Sequence, residues 1–428
     1  MRIRAVTIGQ MIPFLLKNET ILSFLQDKLK NFSAFYNEFN DMLKQFDIAI
    51  DTKRIASQPL FSYDTKLFYE KNLKETLVDI NNQFLFLQDV FKDYGIDYFA
   101  CAMMRADQIQ ELGIFEKLLL NEVPKFIQNK RNFFTSLPVA STEKGINLAA
   151  LRSGAQIIKA LSNPDPFNNL QFCISANVSP NTPFFPAAYH LSEKPGFSLA
   201  LEMADEVIDV IDKSKSFKDA QLNLLAKFNE VYDNLTKIAE KAARSFDLEF
   251  KGIDFSPAPY PTIEKSIGTA IEKLGIDYFG ANGTLTAIAL IKNSIPTDKE
   301  KVVGFSGFMQ PVLEDFILSK RLSEEKFNLD SLILFSTMCG AGLDVVPLPG
   351  DITERELFYI LLDICTVSVI LNKPLTCRLM PIPGKNSGDD VEFDFEYFAP
   401  TKIINFRRLI GENKRDLFSR NEKNLKFL

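Results

Sequence analysis

The sequence predicts an α/β fold with a largely parallel sheet covered on both faces. Helix-period and strand-like segments alternate along the 428 residues. The strand-like segments are continuous apolar runs, the pattern of strands buried on both faces. With 46% hydrophobic and 24% charged residues, the chain can bury a large core.

The elements follow in order. Val6, Thr7 and Ile8 read as a first strand. The opening stretch also resembles a signal peptide, with Arg2 and Arg4 as its charged start. Gly9, Gln10 and Pro13 interrupt its apolar part and no small-residue cleavage site follows, so the strand is preferred. Residues 18–46 form the clearest helix: Leu22, Leu25, Leu29, Phe32, Tyr36, Phe39, Leu43 and Phe46 recur in steps of three and four. Asn18 is its candidate N-cap. Ile21, Phe24, Phe35 and Met42 widen the apolar stripe, so the helix is expected to pack outside a globular core rather than pair in a coiled coil. Next come a helix over 73–91, a strand over 96–103, a helix over 147–161 and a strand over 170–176. A long helical region over 199–246 breaks near 213–218. A strand over 250–255 and helices over 262–274 and 284–292 follow. Strands are expected at 302–308, 332–338 and 375–380, with helices at 311–319 and 353–371 between them. The pentapeptide GIDYF occurs at 95–99 and 275–279, and coincidence is the preferred reading.

Composition excludes several function classes. The formal net charge of −6 argues against a nucleic-acid partner. No uninterrupted apolar run reaches the roughly 18 residues that span a bilayer, and Asp363 splits the nearest candidate. Five cysteines, an odd number with no CxxC spacing, point to reduced thiols and a cytoplasmic location. The single histidine excludes multi-histidine metal sites and confines histidine-assisted nucleophiles to His190. Residues 401–428 hold eight Lys and Arg against three Asp and Glu, a basic tail expected to be solvated or packed down.

In folds of this class ligands sit on loops at the carboxyl ends of strands, so those loops hold the candidate site. Residues 176–190 carry Asn177, Asn181, three prolines and His190, a candidate acid or base or else a residue that orders its own loop. Gly283 and Thr284 open a helix, where exposed amides attract anions, although Thr284 can serve as a cap alone. Ser306 lies in a glycine-bounded loop followed by Glu314 and Asp315. Cys339 sits among small residues that admit a substrate or another backbone; it is a candidate nucleophile or a buried inert thiol. Asp344 and Asp351 follow it as orienting or catalytic groups, although Asp351 can cap the helix behind it. Arg378 and Lys385 are candidate anion contacts. Asp254, Glu314 and Asp315 are the candidate ligands for a divalent cation, which prefers oxygen donors.

Taken in order, these loops resemble the bacterial and archaeal domain-of-unknown-function family 711, also called uncharacterised protein family 0210. The matching pieces include Arg4-x-x-Thr7-x-Gly9, Ala187-Ala-Tyr-His190, Gly280-Ala-x-Gly-Thr284, Cys339-x-x-Gly-Leu-Asp344 and Arg378-Leu-x-Pro-x-Pro-Gly-Lys385. The resemblance spans nearly the whole chain, least well over 55–135. It implies a single domain over 1–428, a large β/α barrel like the pyruvate formate-lyase core. It supplies no reaction, and without a glycine in the last residues no radical chemistry is expected. Relatives carry a glycine-rich stretch where this chain has Gly196-Phe-Ser-Leu-Ala-Leu-Glu202, and the glycine after the histidine is Leu191 here. If that stretch binds a ligand in relatives, binding is expected to be altered. The expected function is the binding, with or without turnover, of a small anionic metabolite at the barrel mouth. The alternative is a non-catalytic sensor or assembly protein. A homo-oligomer is compatible with either.

Overall fold

The computed structural model describes all residues except 15, 62–72, 110, 129, 412–422 and 428. Much of the basic tail thus lies outside the described residues. The strands are β1 (Arg2–Gly9), β2 (Lys53–Ala56), β3 (Tyr98–Ala102), β4 (Phe133–Ser141), β5 (Gly145–Asn147), β6 (Phe172–Ala176), β7 (Gly196–Glu202), β8 (Glu249–Ala258), β9 (Gly342–Pro349), β10 (Leu375–Ile382), β11 (Asp390–Val391), β12 (Thr401–Lys402) and β13 (Asn424–Leu425). The helices are α1 (Asn18–Lys44), α2 (Leu73–Asp93), α3 (Ile114–Ile127), α4 (Leu148–Leu161), α5 (Ala204–Lys213), α6 (Phe217–Ser245), α7 (Ile267–Lys273), α8 (Thr284–Asn293), α9 (Phe316–Ser323), α10 (Leu329–Phe335) and α11 (Glu354–Leu371).

The α/β expectation holds as a mixed, mostly parallel sheet of 11 strands, with the main order β8-β7-β1-β2-β3-β4-β6-β10-β9. The direction of its strands matters for the site. β1, β2, β3, β4 and β6 run parallel to one another. β7 and β10 flank them antiparallel, and each pairs in parallel with its own outer neighbour, β8 or β9. Each end of the sheet therefore mixes the amino ends of one group with the carboxyl ends of the other.

The expected closed barrel does not form, because the ladder is open between β8 and β9. Residues 302–314 lie between these edges and share one isolated β-bridge with each, Val302 to Ile253 and Pro311 to Asp344. Gly304 and Ser306 adopt positive φ of 69° and 36°, and Pro311 has no N–H to donate. The strand predicted over 302–308 is thus an irregular loop. The strand predicted over 332–338 is instead α10, nucleated by a capping box between Asn328 and Ser331.

The core lies on both faces of the sheet, as continuous apolar strands require. Ile55, Phe99 and Phe133 join the larger buried cluster beneath the helices, while Ala56, Ala100 and Phe134 belong to a second cluster. α1 packs outside the sheet as expected. The Phe35 ring sits 4.6 Å from Phe197 of β7 and 5.8 Å from Phe246, and the Tyr36 hydroxyl donates to the Arg54 carbonyl at 2.7 Å. Asn18 is the first residue of α1 rather than its cap; Lys17 occupies the cap position without a side-chain bond. The first GIDYF copy leads into β3, but the second ends in a turn before α8. The two copies share a positive-φ glycine after a helix, Gly95 and Gly275, and nothing longer. The described part of the tail is packed down in places and solvated in others: β13 pairs with β5 and Ile403 and Ile404 are buried, whereas residues 407–411 are exposed.

Candidate functional site

Alternation along a strand sends every second side chain to one face. On the face bearing the second cluster, these side chains surround a cavity of about 630 Å³. Arg4 of β1, Arg54 of β2, Tyr98 of β3, Phe134 of β4, Cys173 of β6 and Arg378 of β10 all line it. Arg54 and Tyr98 are direct partners across the ladder. The remaining wall includes Phe184–Ala187 of the loop after β6, the segments before β4 and β6, the loop after β8, residues 305–314 and the segment after β10.

The cavity holds a chain of ion pairs. Arg378 Nε lies 2.6 Å from Asp344 Oδ1, and its Nη2 lies 2.9 Å from Glu314 Oε1. Glu314 Oε2 also faces Arg4 Nη2 at 3.6 Å, and Arg4 Nη1 reaches Glu202 at 3.3 Å. Burial opposes the charge on Arg378, but Asp344 and Glu314 outweigh it and hold the guanidinium more firmly protonated. Arg54 differs. Among the described residues no carboxylate pairs with it, and its one hydrogen bond is Nε to Thr52 Oγ1 at 2.9 Å. Burial, aided by the Arg4 cation, pushes its guanidinium down to about 10. It stays charged at neutral pH and lies between aromatic faces, 5.5 Å from the Tyr98 centroid and 5.0 Å from that of Phe185.

The rim of the cavity explains why sequence reasoning looked elsewhere. Asn132 and Leu170, just before β4 and β6, line the cavity at the amino ends of those strands. Ala258 and Pro259 lie at the carboxyl end of β8. A search restricted to carboxyl ends finds Glu314, Asp344 and Arg378 but misses Arg4 and Arg54. Neither lay in a segment read as a strand: Arg4 precedes the Val6–Ile8 run, where β1 shifts register against β7, and β2 is only four residues long.

The other candidates lie outside this cavity. His190 is fully buried near the carboxyl ends of β1 and β2; its backbone N donates to Ser57 O at 2.9 Å. Its Nδ1 lies 3.1 Å from Asn181 Oδ1, and burial pushes its pKa down, so the ring is neutral at pH 7. A Cβ on Gly9 would fall 2.2 Å from that nitrogen, which explains a glycine here. Its Nε2 is buried with no hydrogen-bond partner among the described residues. Asn177 is equally engaged: its amide donates to Ser368 O at 3.0 Å and accepts from Thr142 N at 2.8 Å.

Asp254, Glu314 and Asp315 do not converge. Among the described residues no group of three or more His, Cys, Asp or Glu can hold a metal ion. Asp254 accepts from the backbone N–H groups of Ser256, Phe305 and Ser306 at 3.0, 2.7 and 2.9 Å, and from the Ser256 hydroxyl at 2.7 Å. Ser306 serves the same knot, donating its hydroxyl to Val303 O at 2.7 Å. Asp315 caps α9 and also accepts from Ile267 N of α7 at 2.6 Å. Burial raises its pKa to about 6 from 3.8. A carboxyl whose folded pKa exceeds its unfolded one favours folding when protonated, so its contribution rises as pH falls through 6 and is lost above it. Compared with Asp315→Asn, the wild type should gain about 1 kcal/mol of stability between pH 7 and pH 5 in urea melts. An unchanged difference would refute this.

Cys339 is fully buried, and its Sγ lies 3.0 Å from Phe308 O. Its small neighbours admit another backbone rather than a substrate: a Cβ on Gly340 would fall 2.7 Å from Gly307 Cα. Burial raises the pKa of Cys339, as it does for the other four thiols. We expect all five to react with a thiol reagent such as Ellman's only at the rate of unfolding; rapid titration of one thiol in native protein would contradict this. Gly283 holds the cap position of α8 at φ 104°, and the Thr284 hydroxyl accepts from Gly280 N at 3.1 Å. Asp351 pairs with Arg408 on the surface, and Thr353 rather than Asp351 caps α11. The Lys385 side chain is exposed. None of these residues lines the cavity.

Comparison with known proteins decides the family. The model of the family described as Uncharacterised ACR (DUF711) matches residues 1–400. The chain belongs to DUF711. Its relatives bear the name UPF0210 protein. One from Pyrobaculum aerophilum is 28% identical over 313 residues, covering 71% of this chain and 68% of its own length. One from Halothermothrix orenii is 26% identical over 391 residues, covering 86% and 82%. One from Oenococcus oeni is 26% identical over 372 residues, covering 82% and 78%. Within this DUF711 chain, residues 196–202 form β7, buried along its length between β1 and β8, so the helical region expected from 199 begins only at Ala204. No helix among the described residues is long and apolar enough to cross a membrane.

Proposed function

We propose that the cavity binds a small anionic metabolite and that Arg54 is the residue that takes the anion. The observation that carries this reading is a charged guanidinium in a cavity wall with no carboxylate partner among the described residues. Holding such a charge partly out of water costs free energy, and an anionic ligand would recover that cost. The neighbouring Arg4–Glu314–Arg378–Asp344 chain pairs its charges with one another and, through Arg4, with Glu202, and it supports the wall. A volume of about 630 Å³ suits a metabolite-sized ligand.

The cavity chemistry favours binding over turnover. The carboxylates in its inner wall are both tied to Arg378, and burial holds the Cys173 thiol protonated. Binding of the metabolite, with or without turnover, is the reading proposed, and a non-catalytic metabolite sensor is its alternative. The barrel core implied by the family enters as a proposal too, a barrel opened along residues 302–314; single bridges on both sides of that segment support it. A thermal-shift panel of anionic metabolites tests the function. At least one should raise the Tm of the wild type and leave Arg54→Met unmoved. Equal shifts in both proteins would refute the assignment of Arg54.

A further inference from the structure

We propose that the ligand is a monocarboxylate with a flat, apolar ring system. This rests on the anion-binding reading and refines it. The first argument is charge. In the inner wall Arg4, Arg54 and Arg378 face Glu314 and Asp344, which leaves one positive charge in excess. Glu202, which also pairs with Arg4, adds one negative charge that Lys265 offsets, so this pair leaves the excess unchanged. At the rim Arg131 is neutralised by Asp165 at 3.2 Å, and Asp394 adds a negative charge. One free cation among the described residues, behind an acidic rim, matches a monoanion and opposes a phosphate dianion.

The second argument is shape. Arg54 is flanked by a group of rings: Tyr98 and Phe134 at 5.3 Å between centroids, and Phe134 and Phe185 at 5.6 Å. Another group, Phe167, Phe395 and Tyr397, lines the same cavity, with centroids 5.1 and 5.2 Å apart along the series. Ring walls of this kind favour a planar partner that can stack or meet them edge-on. A carboxylate on Arg54 would place an attached ring system beside Tyr98 and Phe185.

The test is calorimetric titration of the full chain with 2-naphthoate, 2-naphthyl phosphate, octanoate and acetate. 2-Naphthoate should bind at one site per chain. The phosphate and octanoate should each bind at least about tenfold more weakly, and acetate should show no saturation. Tyr98→Leu should weaken 2-naphthoate by about two- to tenfold, and Arg54→Lys should retain more affinity than Arg54→Met. Circular dichroism would confirm that each variant is folded. Equal or tighter binding of the phosphate, or of octanoate, through Arg54 would overturn the ligand class while leaving the anion site intact. Binding of none of the four probes would overturn the class; if other anions were equally indifferent to Arg54, the parent reading would fail as well.

Discussion

Arg54→Met should abolish most anion binding while leaving the fold as stable as before or slightly more so. The two effects have opposite signs because they come from the same unpaired charge. In the wild type the Arg54 guanidinium sits among Tyr98, Phe185 and the Arg4 cation, with only Thr52 Oγ1 as a hydrogen-bond partner among the described residues. Removing it leaves no carboxylate orphaned, because Glu314 and Asp344 keep their bonds to Arg378. Stability should therefore be unchanged or rise by about 1 kcal/mol. Ligand affinity should fall by about 2–4 kcal/mol, roughly 30- to 1000-fold, as when one partner of a buried charge pair is lost. Urea unfolding and calorimetric binding on the same preparation check both halves. Arg378→Met is the contrasting variant. It strands Asp344 in the wall and leaves Glu314 only its longer contact with Arg4, and should cost about 3–5 kcal/mol of stability. A destabilised Arg54→Met that still bound anions would reverse the roles of the two arginines.

The second large effect is expected at Asp254. Its carboxylate accepts three backbone N–H bonds and a hydroxyl bond, joining β8 to the loop that begins at residue 304. That loop cannot join β8 by a ladder, because its positive-φ residues prevent a strand. Asp254 supplies the connection instead. Asp254→Ala leaves the buried amides of Phe305 and Ser306 without this acceptor and should cost about 3–5 kcal/mol. Asp254→Asn should lie between, since its amide NH₂ would face a donor. Phe305 and Glu314 lie in or after this loop and line the cavity, so Asp254→Ala should weaken ligand binding too. A loss below about 1 kcal/mol in urea melts would show that the loop is held elsewhere.

Particular elements show how far the sequence could be read. Helices with wide periodic stripes, such as α1 and α11, were legible at nearly their full length. β7 was not, because a run buried on both faces has no period to separate it from a helix; its residues from 199 onward merged with the helical region of α5. β9 carries Pro347 and Pro349 and reads as a loop, yet it lies at the edge of the ladder, where proline is tolerated. α10 was taken for a strand because seven apolar-rich residues are too few to show a helical period, although its capping box was visible.

The site was legible in part for a reason of topology. Glu314, Asp344 and Arg378 were found because they lie in segments of unusual composition. Arg4 and Arg54 were missed because neither segment read as a strand: Arg4 turns inward where β1 shifts register against β7, before the apolar Val6–Ile8 run, and β2 spans only four residues. The Cys339, His190 and Asp254 loops were distinctive for structural reasons: close backbone approach at Gly307 and Gly340, a tight fit at Gly9, and a carboxylate knot. Distinctive composition marked these constraints as readily as it marked chemistry.

The most direct test is extraction of small molecules from natively purified wild type and Arg54→Met in parallel, with quantitative mass spectrometry. We expect an acidic small molecule retained by the wild type at near-stoichiometric amounts and absent from the variant. The same acid recovered equally from both proteins, or none from the wild type at any metabolite load, would contradict an anion site at Arg54.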